Sequence, residues 1–79
     1  MRQISRTELM EARRKLARRI RELRKKRKWT QQELADESGL GMRQIQRLER
    51  IAKPPAIELD SIVKISAAFK ISPSELLDF

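Results

Sequence analysis

The chain of 79 residues has no cysteine, no histidine and no tyrosine, and its only aromatic residues are Trp29, Phe69 and Phe79. Without cysteine, a disulfide framework and thiolate metal sites are excluded, and the composition fits a reducing compartment such as the cytoplasm. Without histidine, the commonest general base and the commonest metal ligand are both missing. No pair of carboxylates is spaced to share a pocket. The sequence therefore reads as a non-enzyme with no metal and no cofactor. No apolar run approaches the roughly 20 residues that span a bilayer. Arg and Lys interrupt the stretch from Met1 to Ile20 throughout, so no secretory leader is expected there.

What is abundant is positive charge: 19 Lys and Arg against 11 Asp and Glu, a net charge of +8. Arg13, Arg14, Lys15, Arg18, Arg19, Arg21, Arg24, Lys25, Lys26, Arg27 and Lys28 crowd into one segment. Such a stripe suits a polyanion, although a solvated helix face has the same composition. A membrane-surface helix needs a broad, bulky apolar face. Leu9, Leu16, Ile20 and Leu23 make only a narrow one, suited to packing against protein. The length predicts one domain over 1–79, with 1–15 as a basic extension of the first helix and 16–77 as the core. A domain this small buries only about 60% of its unfolded surface, so modest stability is expected unless it dimerises.

The pattern along the chain is helical throughout. Ser5-x-x-Glu8 is a candidate capping box, and Leu9, Leu16, Ile20 and Leu23 recur on one side of a helix reaching about Lys26. Leu9 and Met10 need a partner if the first turns are to be firm. Trp29 fits a core or hinge anchor better than a base-stacking residue. Thr30 and Glu33 form a second capping box, with Leu34 and Ala35 pointing inward and Gly39 ending the helix in the left-handed region. Leu40 anchors the turn. Gly41 caps a third helix, with Ile45 and Leu48 on its inner side. Lys53-Pro54-Pro55 stops it. A fourth helix is expected over about Ile57–Lys70, with Leu59, Ile62, Val63, Ser66 and Phe69 inward and Ile65 as a second inward edge. Ser72, Pro73 and Glu75 open a short fifth helix carrying Leu76 and Leu77. The expected fold is all-α, a compact five-helix bundle with an extended basic first helix.

Two short helices joined at Gly39, the second presenting Met42, Arg43, Gln46, Arg47 and Arg50 outward, have the arrangement of a helix-turn-helix that places its second helix in a DNA major groove. Arginine can fork onto guanine O6 and N7, and Arg43 and Arg47 are four apart on one face. Arg47 has Glu37 and Glu49 as alternative partners. The start of the second helix, near Gln31, offers free backbone N–H groups to a phosphate.

These residues resemble a known family. Arg21-Glu-Leu-Arg24, Trp29-Thr-Gln-Gln-Glu-Leu-Ala35, Gly39-Leu40, Ile45-Gln-Arg-Leu-Glu49 and Ile65-Ser-Ala-Ala-Phe-Lys-Ile-Ser-Pro-Ser-Glu-Leu-Leu77 together resemble the lambda-repressor/Cro-like, or XRE, helix-turn-helix domains. The resemblance covers about residues 16 to 77. It implies that Gln31 binds a backbone phosphate, that Met42, Arg43 and Arg47 face base edges, and that Gln44 and Gln46 flank them. It also implies that Arg50 to Lys53 lie along the sugar–phosphate backbone, and that Arg24 and Glu49 form a structural ion pair. Two residues depart from the family pattern. Ile51 stands where a glycine is usual and resists the positive φ that glycine allows, and the loop is longer before the next helix. Met42 stands where a polar residue is common; it can touch a thymine methyl but not hydrogen-bond a base usefully.

The expected function is sequence-specific binding of double-stranded DNA by a transcriptional regulator of the small phage-repressor or restriction-modification controller kind. A homodimer on a palindromic operator is expected. Ile62, Phe69, Leu77 and Phe79 are dimer-interface candidates, unless some of them complete the core. The resemblance places such a protein in a prokaryotic or phage setting, in the cytoplasm and on the nucleoid. A reading from another class is a protein-interaction module, such as an antitoxin on its toxin or a bridging factor on RNA polymerase. Single-stranded RNA is disfavoured by the lack of aromatic platforms.

Overall fold

In a computed structural model, residues 2–79 are described. Five helices follow in order: α1 (Arg6–Lys26), α2 (Gln31–Ser38), α3 (Met42–Leu48), α4 (Leu59–Ala68) and α5 (Pro73–Leu76). There is no strand among the described residues. None of their helices is long and apolar enough to cross a membrane.

Four of the five helix starts have a local chemical cause, and α4 begins at Glu58 without a side-chain cap. The Ser5 hydroxyl accepts the Glu8 N–H at 3.1 Å, but the Glu8 carboxylate pairs with Arg2, so only half of the expected capping box forms. The Thr30–Glu33 box is complete: the Thr30 hydroxyl accepts the Glu33 N–H at 3.1 Å, and the Glu33 carboxylate accepts the Thr30 N–H at 3.0 Å. Ser72 and Glu75 repeat that exchange, with Pro73 inside the first turn. Gly41, lacking a side chain, leaves the α3 entrance to Gln44, whose side-chain oxygen accepts the Gly41 N–H at 3.2 Å.

Three helices end through a left-handed residue, of two kinds. Gly39 closes α2 at φ +75°, where its missing Cβ removes the steric penalty. α1 and α4 close with lysine in the same region, Lys28 at φ 58° and Lys70 at φ 56°. Both are Schellman turns. The Trp29 N–H reaches back to the Arg24 carbonyl and the Lys28 N–H to that of Lys25; Ile71 and Lys70 do the same to Ser66 and Ala67. The residue after each lysine, Trp29 or Ile71, packs against the core and holds the turn in place.

The core is Leu16, Ile20, Leu34, Ala35, Leu40, Ile45, Ile65, Ala68, Phe69 and Leu76, drawn from all five helices and the α2–α3 turn. Trp29 lies half-buried at its edge, its ring stacked on Phe69 at 5.7 Å between centroids. The Arg27 guanidinium lies over both rings, at 5.3 and 5.7 Å, and donates to the Phe69 carbonyl.

α4 differs from expectation in length and in facing. It spans ten residues rather than about fourteen, and its inward side is Ser61, Ile65, Ser66, Ala68 and the capping Phe69. Leu59 and Val63 are exposed, at 69% and 46%. The small side chains Ser61 and Ala68 occupy the helix face that meets the core, so the buried face is turned from the one that bulk hydrophobicity marks. Ser66 satisfies its hydroxyl on the Ile62 carbonyl at 2.7 Å. Phe69 is fully buried, which removes it from the dimer-interface candidates. Ile62 is half-buried against the core, while Leu77 and Phe79 are exposed.

Candidate nucleic-acid interface

The α2–α3 unit is built from the turn outward. Gly39 lets the chain reverse, Leu40 is buried beneath the turn, and Ile45 fixes the inner side of α3 in the core. Seven residues are too few for an independent helix, so α3 holds its shape through these contacts. With Ile45 buried and Leu48 half-buried, Arg43, Gln44, Gln46 and Arg47 are exposed and Met42 is half-buried at the helix start.

A buried ion pair fastens the far end of α3. Arg24 Nε and Nη2 donate to the two Glu49 carboxylate oxygens at 2.7 and 2.9 Å, with the side chains only 12% and 3% exposed. Arg24 Nη1 donates to the Trp29 carbonyl at 2.8 Å. One guanidinium therefore ties the last turn of α1 to the approach to α2 and the exit of α3. Gln31 joins it, its Nε2 donating to Glu49 Oε1 at 3.2 Å. The amide expected to meet a phosphate is thus held at the start of α2 by the same carboxylate.

Arg43 and Arg47 form no ion pair among the described residues, and Glu49 is taken by Arg24. Neither Glu37 nor Glu49 engages Arg47. Two cations therefore project from one side of α3, a turn apart. Beyond α3, Arg50 and Lys53 are exposed while Pro54 is buried. Ile51 avoids positive φ, which among the described non-glycine residues occurs only at Lys28 and Lys70. The loop leaves α3 by an ordinary backbone path instead, and Arg14 Nε donates to the Ile51 carbonyl at 3.1 Å. That contact was not legible in the sequence, where 37 residues separate its partners and no motif links them. The Arg27 contact with Phe69 and Trp29 was likewise missed, since a basic run does not show which cation turns inward.

A family model described as helix-turn-helix matches residues 20–76. The chain belongs to this family. It is of the Cro/C1, or XRE, type, a family of DNA-binding regulators. The match spans the end of α1 through α5, so the helix-turn-helix core carries the Arg24–Glu49 pair, while most of α1 lies before it. No curated protein and no solved structure matches the chain.

Proposed function

We propose that the protein is a sequence-specific regulator that lays α3 in the major groove of double-stranded DNA. Arg43 and Arg47 read base edges, each fork onto guanine contributing about 1–3 kcal/mol of discrimination. Met42 meets an apolar edge such as a thymine methyl, and Gln44 and Gln46 flank the reading face. Gln31, at the start of α2, and Arg50 and Lys53, beyond α3, take phosphates. The observation that carries this reading is the pair of uncommitted arginines, one turn apart on a short helix pinned by a buried ion pair. A reading head needs cations whose positions are set before DNA arrives, since ordering them on binding would subtract from affinity.

One such unit reads only a short half-site. The protein is proposed to act as a cytoplasmic homodimer on an inverted repeat, with its two α3 helices about 34–36 Å apart in successive major grooves. The exposed Leu77 and Phe79, together with the half-buried Ile62, are the proposed apolar surface. Selection of bound duplexes from a random pool, followed by sedimentation of the complex, tests both parts. An inverted repeat bound by two protomers is expected. A monomer that stays monomeric on its selected duplex would remove the dimer, and a pool with no enriched sequence would remove sequence-specific reading.

A further inference from the structure

α1 extends well beyond what the core requires. Its first buried residue is Leu16, and every residue from Arg2 to Leu9 is exposed. Most of this length lies before the family match, which begins at residue 20. On the side of α1 away from Leu16 and Ile20, Arg14, Arg18, Arg21 and Lys25 follow at spacings of 4, 3 and 4. At 3.6 residues per turn they lie within an arc of about 60°, a single ridge. Arg18 and Lys25 are exposed and Arg21 is half-buried, and none of the three forms an ion pair among the described residues.

The ridge has a defined neighbour. Arg14, at its start, donates to the Ile51 carbonyl at 3.1 Å and pairs with Glu11 at 2.7 Å. Arg24, three residues past Arg21, is bonded to Glu49. The exit of α3 therefore lies alongside α1 between these two anchors, and the ridge adjoins the loop that carries Arg50 and Lys53. Arg14 acts as a brace, its guanidinium occupied by the loop carbonyl and by Glu11. Arg18, Arg21 and Lys25 are left to meet an outside anion.

We infer that the Arg18–Arg21–Lys25 ridge, braced against the α3 exit loop by Arg14, is a second phosphate-binding surface that grips the sugar–phosphate backbone flanking the base-read segment of the same duplex. The inference rests on the DNA-binding reading of α3. Duplex DNA is favoured over an acidic protein because Arg14 ties the start of the ridge to the exit loop, and because cations at regular helical spacing suit a uniform line of phosphates. Contacts of this kind raise affinity for every sequence equally and leave base preference to α3.

The test compares wild type with Arg18→Gln/Arg21→Gln, keeping Arg14, on the selected duplex and on a random-sequence duplex between 50 and 200 mM KCl. Each lost phosphate contact removes about 0.9 from the slope of log affinity against log salt, so the double variant is expected to lose about 1.8 per protomer. Over this range that amounts to about 12-fold less loss of affinity for each protomer, or about 150-fold for the proposed dimer. The ratio of affinities for the two duplexes stays unchanged, and hydroxyl-radical protection shrinks at the outer edges of the site. Arg18→Lys/Arg21→Lys, which keeps both charges, is expected to retain the wild-type slope, separating lost charge from altered helix stability. An unchanged slope and footprint in the glutamine variant would overturn the inference while leaving the reading of α3 intact. A changed ratio would also overturn it, by assigning these residues to base reading. A wild-type protein that prefers no duplex over random sequence would overturn both.

Discussion

Replacing Glu49 with leucine strands the Arg24 guanidinium in a site where it is 12% exposed, with its forked partner gone. Replacing Arg24 with methionine strands the carboxylate, 3% exposed, with only the Gln31 amide to answer it, and also releases the Trp29 carbonyl. Removing one partner of a buried pair costs about 3–5 kcal/mol, because the remaining charge stays desolvated. For a domain of this size each kcal/mol moves Tm by about 4–8 °C, so either single variant is expected to melt at least about 12 °C below wild type. The double variant removes both charges and recovers most of that loss. The shortfall should be about 1 kcal/mol, for the hydrogen bond to the Trp29 carbonyl that methionine cannot replace. Urea unfolding followed by helical circular dichroism and Trp29 fluorescence measures the cycle, with equal slopes required for the comparison. These figures give an expected coupling of about 5 kcal/mol or more. Two singles each below about 1 kcal/mol, adding without coupling, would show the pair behaving as an exposed one and would refute the reasoning.

Three further outcomes test the fold. Phe69→Ala removes a fully buried ring stacked on Trp29 and is expected to destabilise by about 3–5 kcal/mol, read by urea unfolding together with a shift in Trp29 emission; a neutral result would contradict its place in the core. Gly39→Ala meets no atom within 4 Å, so its expected loss of about 1–2 kcal/mol comes from the left-handed backbone alone, and an unchanged Tm would contradict that geometry. The Glu75 carboxyl is held below its ordinary value of 4.5 chiefly by the Ser72 N–H and then by the Ser72 hydroxyl; desolvation opposes them, and the charge of Arg19 adds the smallest contribution. A depressed carboxyl contributes stability above its unfolded pKa and loses it as pH falls through the folded one. The Tm difference between wild type and Glu75→Gln should therefore hold from neutral pH to about 4.5 and close below it, and a difference independent of pH would show that the cap is not electrostatic.

The sequence revealed most where chemistry is local. Thr30 with Glu33, and Ser72 with Pro73 and Glu75, announce helix starts because cap and partner lie within one turn; Gly39 announces an end because few residues tolerate its φ. It misled where burial depends on shape. Leu59 and Val63 suggested the inner face of α4, whereas small residues there let neighbouring helices approach. Phe69 reads equally well as core or interface until Trp29 and Arg27 are seen around it. Lys28 and Lys70 gave no sign of left-handed backbone, since tertiary packing of Trp29 and Ile71 overrides residue preference. Arg14 and Ile51 are far apart in sequence and meet only because α1 runs past the exit of α3. The Arg24–Glu49 pairing was implied by family resemblance, and the geometry adds what that resemblance did not carry: Gln31 on the same carboxylate and Arg24 on the Trp29 carbonyl.

The central claim is that α3 reads bases through Arg43 and Arg47. It is tested most directly by repeating duplex selection with Arg43→Ala/Arg47→Ala and comparing the enriched sequences with those of wild type. The expected result is loss of preference at the positions each arginine reads, about 1–3 kcal/mol for each, with salt-sensitive non-specific binding retained. The same operator, selected with the same preference by the double variant, would contradict the assignment of α3 as the reading helix.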